Sequence, residues 1–176
     1  MSGILAGLVS EALASTRPEE VAEVVKKAVE NPAIFTFGEL LDCAPVRQLS
    51  QTPLSPYVTL LSLFAYGTFA DYVSQRASLP EISPRAVLKL KQLSVVELCT
   101  KLSSLPYAML QTELDIGSVR ELEDLLIEVI YAGLVKGTLD QQKAALFVDS
   151  AMGRDVRPGQ LQDIIQVLFC CHDARC

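Results

Sequence analysis

The chain has 176 residues, half of them apolar, which is enough to bury a core and excludes a disordered tail. Its formal net charge of −6 argues against a general nucleic-acid binder, because phosphate contacts need lysine and arginine. The most apolar run, residues 57–70, is too short to cross a bilayer, and the apolar start lacks the basic residues of a signal peptide. We therefore expect the protein in the cytoplasm, the nucleus or both.

Amphipathic helices are predicted for the first part of the chain. Residues 4–13 and residues 21–29 each repeat apolar side chains at helical spacing, so each stretch predicts a helix that packs along one face. A capping box that begins at Thr16 predicts the start of the second helix, and Pro32 ends it. A second capping box, which begins at Thr36, predicts a short third helix. Residues 44–56 contain three prolines and are interpreted as a loop.

A strongly apolar helix and a shorter one complete the predicted stem. Pro56 lies in the first turn of a helix that continues to about Gln75, and apolar side chains cover more than half its circumference, which is typical of burial between neighbours. Pro84 lies in the first turn of the next helix, which ends near Gln92. We therefore predict a stem of packed helices, similar to a bundle or short helical repeat, over residues 1–93.

Residues 94–153 have the element order of a winged helix. Capping boxes at Ser94 and Ser118 begin two helices, and a short extended piece and a further helix lie between them. Gly133 provides a left-handed end to the helix that begins after Ser118. Two short strands joined by a four-residue turn follow: residues 134–139 and 144–148. Residues 154–176 are predicted to form a closing helix and a tail, so the fold class is mainly α with a small winged-helix sheet.

The presumed recognition helix of this winged helix is acidic. DNA-reading winged helices place their third helix in the major groove, where carboxylates are repelled by the phosphates. The predicted helix at residues 119–132 has Arg120 as its one base, against four acids: Glu121, Glu123, Asp124 and Glu128. Binding to a partner protein is therefore favoured over nucleic-acid binding.

The sequence lacks the motifs of catalysis and metal binding. His172 is the only histidine, which excludes both a zincin and the H-x-H pair of an isopeptidase, and neither a Walker A nor a dinucleotide-binding motif occurs. Cys170, Cys171, His172 and Cys176 are too tightly spaced for a standard zinc site. We predict that the chain is not an enzyme and needs no cofactor or metal.

Two surfaces are predicted to bind partner proteins. A wing sheet has a free edge that can pair with a neighbour's strand, and the closing helix has an apolar stripe that a small wing alone does not cover. The predicted partner-binding residues of the wing edge are Leu134, Lys136, Thr138, Leu146 and Val148. Those of the closing helix are Leu161, Ile164, Ile165 and Leu168.

Six motifs follow one another along the chain: LFAYGTFADY (63–72), LKLKQLSV (88–95), LPY (105–107), VRELED (119–124), LDQ (139–141) and GRD (153–155). Together with the helical stem and the acidic winged helix, they resemble a PCI domain, the module shared by the proteasome lid, the COP-nine signalosome and translation initiation factor three. The motifs are most similar to those of signalosome members, and residues 1–168 would then form one PCI domain.

The resemblance implies a non-catalytic scaffold subunit of the signalosome. That complex removes the ubiquitin-like modifier Nedd8 from cullins, and a separate metalloprotease subunit does the chemistry. PCI subunits place their winged helices side by side, so the implied partners are other signalosome subunits, chiefly PCI subunits. From the composition and the charge pattern we expect no membrane partner, and a nucleic-acid partner is disfavoured. A PCI subunit of the proteasome lid or of initiation factor three is the alternative, ahead of a winged-helix nucleic-acid binder.

Overall fold

The computed structural model describes residues 2–15, 17–157, 159–160 and 165. Within them the chain is mainly helical and has one small sheet, as the sequence predicted. The helices are α1 (Ser2–Ala14), α2 (Pro18–Glu30), α3 (Gly38–Asp42), α4 (Ala44–Leu49), α5 (Ser55–Tyr66), α6 (Phe69–Gln75), α7 (Pro84–Lys101), α8 (Tyr107–Leu114) and α9 (Val119–Tyr131). The strands are β1 (Ser104–Pro106), β2 (Val135–Asp140) and β3 (Ala145–Ala151).

The clearest periodic patterns form the predicted helices and bury the predicted faces. In α2 the buried side chains are Val21, Ala22, Val24, Val25, Ala28 and Val29, which is the apolar stripe of residues 21–29. In α9 they are Leu122, Leu125, Leu126 and Val129. Because these faces belong to one continuous hydrophobic core, the stem and the winged helix share their interior.

Residues 44–56 are not a loop throughout, so that prediction was wrong. Ala44–Leu49 forms α4, in which Pro45 occupies the first turn and Val46 and Leu49 are buried. Proline at this position begins a helix readily, because the N–H that it lacks would have no partner within the helix.

The predicted helix from Pro56 to Gln75 is divided in two at Gly67. The N–H of Gly67 donates to the carbonyl of Leu63 at 2.8 Å and ends α5. Thr68 and Asp71 then form a capping box that begins α6: the Asp71 carboxylate accepts from the Thr68 N–H at 2.8 Å, and the Thr68 hydroxyl accepts from the Asp71 N–H. This start signal was missed in the sequence.

The predicted helix start at Ser94 was also wrong, because α7 runs without a break from Pro84 to Lys101. The buried Ser94 hydroxyl donates to the Leu90 carbonyl at 2.8 Å and accepts from the N–H of Phe69 at 2.7 Å. Ser94 therefore gives a first-turn amide of α6 its acceptor. A division into stem and winged helix at residues 93 and 94 stays a prediction, and it would fall inside α7.

The other three predicted capping boxes have different outcomes. The prediction at Thr36 was wrong, because the residue before α3 is Phe37 and no side chain caps the helix. Ser118 directly precedes α9, as predicted, although its hydroxyl caps no amide. The capping residue Thr16 lies outside the described residues, and α2 begins at Pro18.

The sheet is antiparallel and has the strand order β1–β3–β2. Gly133, with a φ of 72°, ends α9 as predicted and leads into β2. The two predicted wing strands are confirmed with small shifts of their ends, and β3 continues to Ala151. The short extended piece predicted before α8 is β1. Because β1 pairs with β3, β3 is the central strand of the sheet.

Residues 153–157, the return segment, lead from the wing back onto the stem. Arg154, whose side chain is 4% exposed, donates to the Phe64 carbonyl at 3.0 Å and to the Glu97 carboxylate at 3.4 Å. The Asp155 carboxylate accepts from the Phe37 N–H at 2.6 Å, directly before α3. These contacts give the GRD motif a structural role, because they hold the end of the wing against α5, α7 and the start of α3.

Lys89 joins α7 to the carboxyl end of α2. Its buried ammonium donates to the carbonyls of Ala28, Val29 and Asn31 at 3.0, 3.0 and 2.7 Å, and it lies 4.8 Å from the centre of the Phe37 ring. Three carbonyls at a helix end and an aromatic face all favour the charged form. Burial opposes them and lowers the pKa of Lys89 to about 7.

This pKa predicts that the contribution of Lys89 to stability depends on pH. Because the folded pKa lies below the ordinary lysine value, the folded protein binds fewer protons than the unfolded chain between about pH 7 and pH 10. The contribution is therefore full above pH 10 and is lost as the pH falls towards 7. We expect the stability difference between wild type and Lys89→Met, measured by urea unfolding, to be about 2 kcal/mol larger at pH 9 than at pH 6.5.

The matched control is Lys136→Met, which removes an exposed lysine. The change in its stability difference between the two pH values is subtracted from that of Lys89→Met. A Lys89→Met difference that stays constant from pH 6.5 to pH 9 after this subtraction would contradict the expected protonation behaviour.

Candidate partner-docking surface

The outer strand of the wing sheet, β2, has a pairing partner on one side only among the described residues. The N–H of Tyr107 donates to the Ala144 carbonyl at 2.8 Å, and the N–H of Val148 donates to the Ser103 carbonyl at 2.9 Å. The even-numbered residues of this part of β3 therefore direct their backbone groups towards β1. Because these directions alternate along an antiparallel strand, the odd-numbered residues face β2.

The same alternation identifies the free backbone groups of β2. Thr138 and Asp140 lie opposite Phe147 and Ala145, whose backbone groups face β2, so both bond inward. The N–H and C=O groups of the intervening residues, Gly137 and Leu139, point away from the sheet. Gly137 and Leu139 are called the β2 edge from here on, and they can hydrogen-bond to an added strand.

The five residues predicted for the wing edge do not share one location. Lys136 and Thr138 lie on β2 with exposed side chains, beside the β2 edge. Leu134 precedes β2 and its side chain is buried. Leu146 and Val148 lie on β3, which is paired on both sides, so neither is at a free edge. A partner-binding role for these residues stays a prediction, and the geometry supports it for Lys136 and Thr138.

Most of the predicted closing-helix surface lies outside the described residues. This applies to Leu161, Ile164 and Leu168. Ile165 is described and is 44% exposed. Partner binding by this helix stays a prediction.

Three of the sequence motifs meet at one end of the wing. From the LDQ motif, the Gln141 amide donates to the Glu123 carboxylate of the VRELED motif at 3.1 Å. Tyr107 of the LPY motif is buried, and burial, followed by the effect of Glu123, raises the pKa of its phenol. These motifs therefore hold the hairpin against α9 and α8, and through the hairpin they position the β2 edge.

The exposed side of α9 is acidic, as its sequence predicted. Glu121, Asp124 and Glu128 are all exposed there. In the described part of the chain, no group of three or more potential ligands is placed to hold a metal ion. None of the described helices is long and apolar enough to cross a membrane. The cysteine and histidine residues at 170–176 lie outside the described residues.

Comparison with known proteins gives a match to part of this fold. Residues 69–150, which extend from α6 to the end of the wing, match the PCI domain. This stretch of the chain therefore carries a PCI domain, as the motifs indicated.

Curated proteins with similar sequences are named as subunits of the COP9 signalosome. The chain is 44% identical over 154 residues to COP9 signalosome complex subunit 7 of Dictyostelium discoideum, covering 88% of this chain and 60% of the relative. It is 46% identical over 153 residues to subunit 7 of Arabidopsis thaliana, covering 86% and 59%. For subunit 7a of Mus musculus the identity is 40% over 154 residues, covering 88% and 56%. The chain thus spans about three-fifths of the length of these relatives.

Proposed function

We propose that this chain is a non-catalytic scaffold subunit of the COP9 signalosome and that it occupies the position of subunit 7. It would support removal of Nedd8 from cullins by holding other subunits together, chiefly PCI subunits, in the cytoplasm and the nucleus. The observation that carries the proposal is the free β2 edge in a chain with 40–46% identity to proteins named as signalosome subunits.

The proposed mode of binding is strand addition. A neighbouring subunit would place a strand against the β2 edge, where the outward N–H and C=O groups of Gly137 and Leu139 provide hydrogen bonds without a large rearrangement. The exposed side chains of Lys136 and Thr138 lie beside these backbone groups and would also contact the added strand. The closing helix, with Leu161, Ile164, Ile165 and Leu168, is proposed as a second contact.

A proline substitution at Leu139 tests this mode. Leu139→Pro removes an outward N–H and fills the edge with the proline ring, but it leaves the inward bonds of Thr138 and Asp140 in place. We expect the variant, co-expressed with the other signalosome subunits, to be lost from the complex in size-exclusion chromatography.

Leu139→Ala is the matched control, because it removes the same partly buried side chain and keeps the N–H. It should co-elute with the complex, and thermal unfolding of both variants separates loss of docking from loss of fold. Co-elution of a folded Leu139→Pro variant would exclude strand addition at this edge. If the wild-type chain fails to co-elute with signalosome subunits, the proposed assignment itself is wrong.

A PCI subunit of another complex is the second candidate. The chain is 33% identical over 143 residues to eukaryotic translation initiation factor 3 subunit M of Schizosaccharomyces pombe, covering 76% of this chain and 34% of the relative. Affinity purification of the chain from a cell extract tests this alternative. Recovery of initiation factor three subunits without signalosome subunits would favour it.

A further inference from the structure

An exposed apolar pair lies on the outer face of α9. Tyr131 is 88% exposed and Ile127 is 40% exposed, and they lie four residues apart on one side of the helix. The opposite side of α9 fills the core, so neither residue is needed to close it. An exposed tyrosine beside an exposed isoleucine is typical of the centre of a binding surface.

A further exposed apolar residue lies on α7, in a cleft that Glu128 of α9 also lines. Leu88, which is 41% exposed, lines this cleft together with Gln92 and Glu128. The Gln92 amide donates to the Glu128 carboxylate at 3.1 Å and holds the two sides of the cleft together. Leu88, Asp124, Ile127, Glu128 and Tyr131 are called the α9 surface below.

Three carboxylates lie around this surface, with Arg85 in the cleft and Arg120 one turn before Asp124 on α9 as the exposed cations. Asp124 and Glu128 lie on α9 beside the apolar pair, and Glu30 lines the cleft from the end of α2. None of these three forms an ion pair with another described residue. Arg85 is the one arginine in the lining of the cleft, and Lys89 already donates to the carbonyls at the end of α2. Lysine or arginine from a partner would thus meet carboxylates that form no ion pair within the described part of the chain.

From this geometry we propose that the α9 surface docks a basic amphipathic helix of a partner protein. The apolar side chains of that helix would cover Leu88, Ile127 and Tyr131, and its lysine or arginine side chains would meet Asp124 and Glu128. α9 corresponds to the helix that binds DNA in other winged-helix proteins. In this chain it would bind a protein and prefer a positively charged partner. This inference goes beyond the proposed scaffold role, because it concerns a surface that strand addition does not use.

Site-specific photo-crosslinking in the full chain tests the proposal. Tyr131 is replaced by p-benzoylphenylalanine, the chain is expressed in eukaryotic cells, and crosslinked peptides are sequenced by mass spectrometry. We expect one discrete peptide from another protein, with a net positive charge and apolar residues three or four apart. Adding Asp124→Lys and Glu128→Lys should lower the crosslink yield at least about fivefold, because the partner's cations are then repelled.

The same crosslinker at Val73, which is 53% exposed on α6, serves as the control for accessibility alone. It should not yield that peptide. An acidic or neutral peptide, a peptide from a second copy or from residues 158–176 of this chain, or no discrete product overturns the proposal. So does a yield that the charge reversals leave unchanged. None of these results depends on whether the β2 edge binds signalosome subunits.

Discussion

The substitution Leu126→Asp should lower the free energy of unfolding by about 5 kcal/mol or more. Leu126 is 0% exposed and belongs to the buried face of α9. An aspartate there loses the apolar contacts of leucine and places a carboxylate in the core without a cation. Because the core is continuous from the stem to the wing, we expect loss of the whole fold rather than of the wing alone.

Ile127→Asp is the matched control for this prediction, since it makes the same type of change one residue further along α9, where the side chain is 40% exposed. Circular dichroism during thermal unfolding should show a near wild-type transition for Ile127→Asp and no cooperative transition for Leu126→Asp. Equal unfolding temperatures for the two variants would mean that the faces of α9 are wrongly assigned.

Gly137→Ala is expected to cost about 3 kcal/mol of unfolding free energy, although it adds a single methyl group. A Cβ atom at Gly137 would lie 2.2 Å from the carbonyl oxygen of Phe147 on β3. The obstacle is backbone, so a side-chain rotation does not relieve the clash and the two strands must separate. The sheet irregularity between Lys136 and Gly137 is at the same place.

Gly117→Ala provides the comparison, because a Cβ atom there would meet no other atom within 4 Å. Urea unfolding should give nearly wild-type stability for Gly117→Ala and a clearly lower midpoint for Gly137→Ala. If the two variants have the same midpoint, β2 does not require the close approach to β3 at this position.

The elements that the sequence predicted correctly are those whose formation depends on residues close together in the chain. The stripes of α2 and α9, and the strands that follow Gly133, depend on spacing along the chain. Ser94 shows where prediction from local patterns fails, because Ser94 and the residues after it match a capping box and predict a helix start. Its hydroxyl instead bonds to the amide of Phe69, 25 residues earlier, and to the preceding turn of α7. That partner is determined by packing and has no signal near Ser94.

The sequence predicted the candidate site only in part, because the position of each strand in the sheet also depends on contacts between distant residues. A free strand edge was expected, but the identity of the outer strand depends on the pairing of β1, which has only three residues. With β1 on one side of β3, only β2 remains as the long outer strand, and Leu146 and Val148 move to the centre of the sheet. Gly137 was the one local signal for a close approach between strands.

The return segment has a consequence for the order in which the protein folds during its synthesis. The Phe37 amide before α3 finds its acceptor in Asp155, which lies 118 residues later in the chain. The N-terminal helices therefore leave the ribosome long before the carboxylate that completes them, and contacts of such sequence separation form late. A nascent chain that stalls before Asp155 would expose an unfinished stem to chaperones, so the stem is complete only after the return segment has been synthesised.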